Sequence, residues 1–400
     1  MCAHHPLDRS PDAGRGNHLY CARRIALAVA MAVMAGCQML PAGPAPSPTP
    51  ELATTPTPRS TATAVRTPPS LPRPFQSKLL NPLDTVHTYE DNACVYLRNK
   101  WDPDKAAPGT VVMIVMLHSI NRRKAEGPEA LTALLFARMM DDIHETRFQA
   151  ISMEQLVGFL EENAKIPYRS VLLIQDQTRY PDNFDKHFGP YWDMWEWPVV
   201  SAWDQQSTLN EETWAGYQRL SQQGRVDFQV YGPTFKTSGN SVSEDYLTRH
   251  LQEPIDVLEE RLHKKPLAVI WPSGFSAQSA GIARALGYRV GFTFNPRGPV
   301  MYNWIPLSET FDKFRPSHLP EAEVGDPLMT LPRYWPHQVH DALDGIRAAG
   351  DGAAAYAARN KSTELRYYEI VCAGQYGPIS SLLTPTAAGI ASPTDGGASN

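Results

Sequence analysis

The chain has 400 residues, of which 42% are hydrophobic and 20% are charged, and its formal net charge is −5. This length and composition suit one large globular domain or two modest ones. A negative chain without a Lys/Arg-rich run lacks the concentrated basic surface that nucleic-acid binding needs, so no nucleic-acid partner is expected.

The N-terminal residues have the pattern of an export signal. Arg23 and Arg24 precede the apolar run 25–35, which is too short to span a bilayer and leads through Gly36 to Cys37. A cysteine after small residues resembles a bacterial lipobox, in which Cys37 carries the lipid. We therefore expect a signal peptide at residues 1–36 and an exported protein anchored by lipid to the cell membrane, facing the exterior. A plain secretory signal and an uncleaved membrane anchor are the alternatives.

Composition divides the rest of the chain. Residues 37–74 are rich in Pro and Thr and are predicted to form an extended linker behind the lipid anchor. The folded domain is expected at 75–340, with a C-terminal helix or extension at 341–382. The tail 383–400 is rich in Gly, Ala, Ser and Thr, a composition typical of disorder.

Two cysteines, Cys94 and Cys372, remain outside the leader and the lipidation site. In an oxidising compartment they are able to form one disulfide between the start and the end of the domain. Two buried free thiols are the alternative.

Strand and helix patterns alternate through the domain. Apolar runs predict strands at 111–117, 148–152, 170–176, 198–203, 226–231, 267–271, 289–294 and 329–333. Helical spacing predicts helices at 130–144, 153–163, 211–222, 243–263 and 277–286. This alternation indicates an α/β fold with a parallel sheet, and its number of units over roughly 260 residues favours a barrel.

The most informative strand contains the apolar run 171–174, which leads through Gln175 to Asp176. In α/β folds, side chains at the carboxyl ends of such strands carry the chemistry. Asp176 is therefore either a catalytic group or a carboxylate that caps the next turn.

Several short motifs keep a fixed order from about residue 110 to 335. They are Val-Met-Leu-His-Ser-Ile at 115–120, Phe-Gln-Ala-Ile-Ser at 148–152, Val-Leu-Leu-Ile-Gln-Asp-Gln-Thr at 171–178, Trp-Pro-Ser-Gly at 271–274, Leu-Gly-Tyr at 286–288 and Leu-Pro-Arg at 331–333. Together they resemble the polysaccharide deacetylase (NodB-homology) family. The resemblance implies a distorted (β/α) barrel and metal-assisted hydrolysis of acetyl groups on sugars.

The resemblance also implies that the metal site is degenerate. In the family, one Asp and two His hold Zn or another divalent metal, and a second Asp is the general base. By position the base is Asp176, the metal-binding Asp falls on Gln177, and the two His fall on Pro233 and Thr237. Neutral amide and hydroxyl groups are poor ligands for such an ion and proline has no donor, so we expect no metal cofactor. The alternative is a site rebuilt from other residues, for which the candidates are His118, Asp182, His187, Asp193 and Asp204.

Further site residues follow from the same comparison. His118, at the end of the first strand, is a second candidate catalytic residue. His337 lies near a position where some family members have a catalytic histidine, and a surface loop is the simpler expectation for it. The predicted substrate-binding residues are Trp271, Pro272, Ser273, Gly274 and Trp195. The aromatic rings among them either stack on sugars or fill the core.

We therefore expect a deacetylase-like envelope lipoprotein that binds or acts on an acetylated, peptidoglycan-like glycan and has lost metal-dependent deacetylation. One alternative is an active carbohydrate hydrolase of non-peptide C–N bonds with an altered site. The other is an envelope scaffold whose barrel binds a protein partner.

Overall fold

The computed structural model describes residues 66–121, 130–177, 179–205, 209–233, 242–272, 274–311 and 320–379. The predicted signal peptide, Cys37, most of the predicted linker, Thr237, Ser273 and the tail 383–400 lie outside the described residues. Within the described ranges, no helix combines the length and apolar character needed to cross a membrane.

Strands and helices alternate through the described chain. The strands are β1 (Asp84–His87), β2 (Val111–Leu117), β3 (Ser119–Asn121), β4 (Ala130–Thr132), β5 (Gln149–Ala150), β6 (Arg169–Gln175), β7 (Val199–Trp203), β8 (Val226–Tyr231), β9 (Ala268–Ile270), β10 (Val290–Pro296), β11 (Ile305–Ser308) and β12 (Leu331–Arg333). The α-helices are α1 (Ala93–Trp101), α2 (Ala133–Glu145), α3 (Met153–Glu162), α4 (Pro181–His187), α5 (Gly189–Trp195), α6 (Glu211–Gln222), α7 (Glu244–Leu262), α8 (Ala277–Leu286), α9 (Val339–Val371) and α10 (Ala373–Tyr376).

The main sheet is parallel and curls on itself. Its strand order is β12-β10-β9-β8-β7-β6-β2, with β5 added beside β6. The two ends of this order meet at Tyr334, whose N–H donates to Ile114 O over 2.7 Å while its carbonyl accepts from Met116 N–H over 3.0 Å. The predicted α/β class, a distorted (β/α) barrel, is confirmed.

The buried strands explain why the sheet is parallel. Every residue of β2 is buried, and so are all residues of β6 after Arg169. Strands that are apolar on both faces need cover on both sides, which helices on one face and the closed interior on the other provide. This arrangement brings the carboxyl ends of the strands to one edge, where the site residues lie.

Helix ends follow local capping chemistry. Ser152 and Gln155 form a reciprocal capping box at the start of α3, and α8 ends at Gly287, whose φ of 99° suits a residue without a side chain. The predicted helix at 130–144 begins three residues late. Ala130–Thr132 instead form β4, and the Thr132 side chain accepts from Leu135 N–H as the N-cap of α2.

A disulfide joins α1 to the end of α9. Cys94 in α1 and Cys372 at the end of α9 form a disulfide with Cα atoms 5.4 Å apart. Of the two alternatives left by the sequence, the structure therefore contains the disulfide. It ties the start of the domain to α9, the 33-residue helix within the predicted C-terminal extension.

Candidate functional site

The candidate site lies where β2 and β6 end side by side. Leu117 pairs with Gln175, so the next residues, His118 and Asp176, follow at the same level of the sheet. The Asp176 N–H donates to Leu117 O over 2.7 Å and fixes the first step out of β6. Both predicted catalytic residues are thus placed at the carboxyl edge of the barrel.

Gln175 holds this edge together from inside. Its side-chain amide donates to the carbonyls of Leu117 and His118 over 2.8 and 3.0 Å, and to that of Asp176 over 3.0 Å. The side chain is fully buried, so these bonds replace the water that the carbonyls lose at the strand ends. Gln175 therefore positions the turn that carries Asp176.

Asp176 is paired with Arg333, the last residue of β12. Arg333 Nη1 lies 2.5 Å from Asp176 Oδ1, and the two side chains are 0% and 7% exposed. Arg333 Nε also donates to Thr293 O over 2.7 Å, which fixes the guanidinium plane. Its Nη2 is buried and has no hydrogen-bond partner among the described residues. The site thus contains a buried ion pair and one buried N–H group without a described hydrogen-bond partner.

Two further polar residues surround this pair. Tyr231 ends β8, and its pKa is raised to about 12, first by burial and then by the negative charge of Asp176. Its hydroxyl also has a hydrogen bond with the Gln177 side chain. Burial is likewise the main cause that lowers the pKa of Arg179, whose guanidinium donates to His118 O. The Arg179 carbonyl in turn accepts from the Tyr217 hydroxyl over 2.7 Å.

The residues present do not fit the metal ion that the family resemblance implies. Gln177 offers a neutral amide to the site and is bonded to Tyr231, and Pro233 has no donor atom. Thr237, the third position, lies outside the described residues. Asp176, the carboxylate that follows β6, is bonded to Arg333, and Asp204, which directly follows β7, is among the charges that raise the pKa of Tyr231. The two metal positions that the structure describes therefore supply no ligand suited to a divalent ion.

Among the described residues, the candidates for a rebuilt metal site do not come together. His187, at the end of α4, packs edge-on against Phe136 with ring centroids 6.3 Å apart, and Asp193 in α5 pairs with Arg225 over 2.9 Å. Asp182 lies in the first turn of α4. Throughout the described ranges, no three His, Cys, Asp or Glu side chains come together as a possible metal site.

The structure places Trp271 in the core and not in the cleft. Its side chain is 0% exposed, and its indole N–H donates to Met329 O over 2.9 Å. A ring without an exposed face cannot stack on a sugar, so the predicted substrate contact is corrected to a packing role. Pro272 is half-buried and Gly274 is buried beside it, while Ser273 lies outside the described residues.

Trp195 lies at the wrong end of the sheet for a cleft residue. It ends α5, before the first residue of β7, whereas Asp176 follows the last residue of β6. Its ring stacks on His144 at a centroid distance of 4.0 Å and contacts Trp197 at 4.7 Å. The predicted role of Trp195 in the cleft is therefore corrected, because the strand length separates it from Asp176.

Among the remaining rings, Trp203 is buried at the end of β7 against Trp214, and its indole N–H has no described partner. His337 is exposed in the segment after β12 and meets Trp335 edge-on, as expected for a surface histidine. Arg333, Arg179 and Tyr231 were not predicted as site residues. The positions of Arg333 and Tyr231 at the carboxyl ends of predicted strands were the signals that could have identified them.

Comparisons with known proteins give similarity to solved structures alone. No family model matches the chain, and no curated protein matches it. The chain is similar to the deacetylase PplD of Streptococcus pyogenes, solved with acetate, at 18% identity and a TM-score of 0.45, over 60% of this chain and 99% of that one. It is also similar to BC0361, a polysaccharide deacetylase from Bacillus cereus, at 13% identity and a TM-score of 0.43, over 59% and 69% of the two chains.

A third solved structure, a de-N-acetylase from Aggregatibacter actinomycetemcomitans, is similar at 14% identity and a TM-score of 0.40, over 56% of this chain and 94% of that one. At these low identities and TM-scores, the similarities assign no activity and no substrate to this chain.

Proposed function

We propose that the carboxyl edge of the barrel binds an acetylated glycan and no longer deacetylates it with the help of a metal. The observation that carries this proposal is the buried pair of Asp176 and Arg333 beside Gln177. The family resemblance gives the substrate class, an acetylated carbohydrate of the peptidoglycan type.

A general base without a metal ion is too weak for amide hydrolysis. A positioned carboxylate contributes roughly 10²–10⁴-fold as a general base. Enzymes typically accelerate reactions by about 10⁶–10¹⁷-fold. The remainder has to come from a Lewis acid or from donors aimed at the developing oxyanion, and the metal positions that we identify carry Gln177 and Pro233. Asp176 is moreover engaged by a fully buried guanidinium.

The same edge is well equipped to bind polar ligands. Gln177, Arg179 and Tyr231 are each only partly buried and supply amide, guanidinium and phenol groups. Arg333 Nη2 adds a buried donor without a described partner. Sugar hydroxyls and acetamide carbonyls are the complementary groups, and buried polar atoms favour ligands that complete their hydrogen bonds.

The test measures binding and hydrolysis on the full chain. N-acetylglucosamine oligomers are titrated by calorimetry, and acetate release is followed with and without added Zn²⁺. We expect saturable binding without acetate release. Gln177→Ala and Tyr231→Phe should each weaken binding by about fivefold, since each removes one hydrogen bond of roughly 1 kcal/mol. Trp195→Phe, at the opposite end of the sheet, should leave binding unchanged.

Two outcomes would replace the proposal. Acetate release that disappears in Asp176→Asn would establish an active hydrolase with an altered site. Absence of binding to every oligomer tested would favour a scaffold that binds a protein partner.

We also propose that the chain is exported and carries a lipid on Cys37. Its support is the small-residue pattern before Cys37 and the apolar run 25–35. Metabolic labelling with a fatty acid should mark the full chain and not its Cys37→Ser variant. Equal labelling of the two chains would refute a lipid at this residue.

A further inference from the structure

A second cavity lies at the opposite end of the sheet from Asp176. Its volume is about 260 Å³, and its lining includes residues 107–110, which directly precede β2. The other walls come from the extended segment 71–75, the start of α1, the loop 301–304 and the middle of α9. The cavity therefore does not include the polar residues at the carboxyl edge.

The segment 71–75, which we call the strap, is held in place by specific bonds. The Tyr356 hydroxyl donates to Arg73 O and the Trp304 indole N–H donates to Phe75 O, each over 2.9 Å. The Phe75 ring lies 6.3 Å from the Trp304 ring and 5.7 Å from the Tyr356 ring, measured between centroids. This wall of the cavity is thus aromatic and is held in place by hydrogen bonds.

A second aromatic pair faces the same space. Tyr96 stacks on Tyr302 with centroids 5.9 Å apart and an interplanar angle of 17°. The Tyr302 hydroxyl accepts from Asn99 Nδ2 over 3.0 Å, whereas no described residue bonds the Tyr96 hydroxyl. The ammonium group of Lys100 lies 5.3 Å from the centroid of the Tyr96 ring. A ring of this cavity therefore already contacts an ammonium group.

The charges of the lining are unbalanced. Lys100 pairs with Glu364 over 2.8 Å, and both side chains are nearly buried, so these two charges cancel. Glu90 and Asp91 form no ion pair with any described residue, and the Glu90 carboxylate accepts a hydrogen bond from the N–H of Asn92. The strap adds Arg73, which is exposed. Three anionic and two cationic side chains thus line the cavity and leave it net negative.

We propose that this cavity binds a small organic ammonium ion carried on a sugar ring, namely a hexosamine whose amine is free. The ammonium group faces Glu90 and Asp91, and the apolar face of the ring lies on the aromatic walls. The cavity is just below the usual range of about 300–1,000 Å³ for ligand pockets, which suits one ring better than an oligosaccharide. The Tyr96 hydroxyl offers a hydrogen bond that sugar hydroxyls use and a quaternary ammonium does not.

Ligand-observed NMR on the full chain tests the proposal with three probes: D-glucosamine, D-glucose and tetramethylammonium. Glucosamine should bind at least about tenfold more tightly than glucose, since one ammonium group on aromatic faces and carboxylates contributes about that factor. This comparison uses the unaltered chain and does not depend on the folding of any variant.

The carboxylates are tested with the double variant Glu90→Gln/Asp91→Asn, which should lower the affinity for glucosamine about tenfold. The matched control is Glu260→Gln, an exposed carboxylate on α7, which should change nothing. Equal binding of glucose and glucosamine, or unchanged binding in the double variant, would overturn the proposal. Equal affinities for tetramethylammonium and glucosamine would show that the sugar ring contributes nothing to binding, and the proposed hexosamine would be wrong.

Discussion

The two ends of the barrel differ in how their charged side chains are paired. At the carboxyl edge, the charges of Asp176 and Arg333 are buried and paired with each other. At the opposite end, Lys100 and Glu364 form a similar buried pair, but Glu90 and Asp91 beside it have no cationic partner among the described residues. Paired buried charges stabilise an arrangement once it is formed, whereas unpaired charges around a cavity favour an oppositely charged ligand.

This difference teaches that position in a fold does not by itself assign a binding site. The carboxyl edge is where barrels of this kind carry their chemistry, yet here its carboxylate is occupied by an arginine. The amino-terminal end has a cavity of about 260 Å³ and the unbalanced charge. Function has to be argued from the side chains at each end, as is generally true of widely used folds.

The largest expected effect comes from breaking the buried pair at the carboxyl edge. Arg333→Met leaves Asp176 charged, buried and unpaired, so the free energy of unfolding should fall by about 3–5 kcal/mol. Urea denaturation at neutral pH measures the change. The double variant Asp176→Asn/Arg333→Met should recover part of the loss, because no isolated charge remains.

An exposed pair provides the matched control. Arg219 and Asp185 lie 2.5 Å apart but are 43% and 38% exposed, so Arg219→Met should cost at most about 1 kcal/mol. Equal losses in Arg219→Met and Arg333→Met would show that burial does not distinguish the two pairs.

A second prediction concerns the opposite end, where the disulfide joins two walls of the cavity. Cys94 and Cys372 are separated by 278 residues, so Cys94→Ala/Cys372→Ala frees a very long loop and should lower the free energy of unfolding by about 2–5 kcal/mol. The same variant should weaken glucosamine binding and leave binding of N-acetylglucosamine oligomers unchanged. Thermal unfolding and the two titrations measure these effects. A parallel loss of both ligands would indicate that the two ends are not independent.

Much of the sheet could be predicted from the sequence. Continuous apolar runs such as 111–117 and 171–174 identify strands because strands buried on both faces need apolar residues throughout. The ends of α3 and α8 were predictable within one residue, since Ser152 and Gly287 have strong local preferences. The position of Asp176 at a strand end followed directly from the strand.

Side-chain partners could not be predicted in the same way. Asp176 and Arg333 are 157 residues apart in the chain, and only the curl of the sheet brings them together. Trp271 and Trp195 are of a residue type that often stacks on sugars. Packing nevertheless decides which way each ring points and at which end of the sheet it lies, and the sequence does not predict this. The cavity was missed because its walls come from both ends of the domain.

The smallest expected effect is the pH dependence caused by Tyr231. Burial and the charge of Asp176 raise its pKa to about 12, against about 10 in the unfolded chain. The contribution of the neutral phenol to stability is therefore complete below pH 10 and is lost as the pH rises towards 12, because the unfolded chain releases the proton first. Urea denaturation between pH 10 and 11 should show that the free energy of unfolding falls as the pH rises. The slope of this fall should be smaller in Tyr231→Phe, by an amount that corresponds to at most one proton. The exposed Tyr180 is the control, and Tyr180→Phe should retain the full slope. An unchanged slope in Tyr231→Phe would mean that this phenol is not held neutral beside Asp176, and the hydrogen-bonded edge proposed for the glycan would lose one of its members.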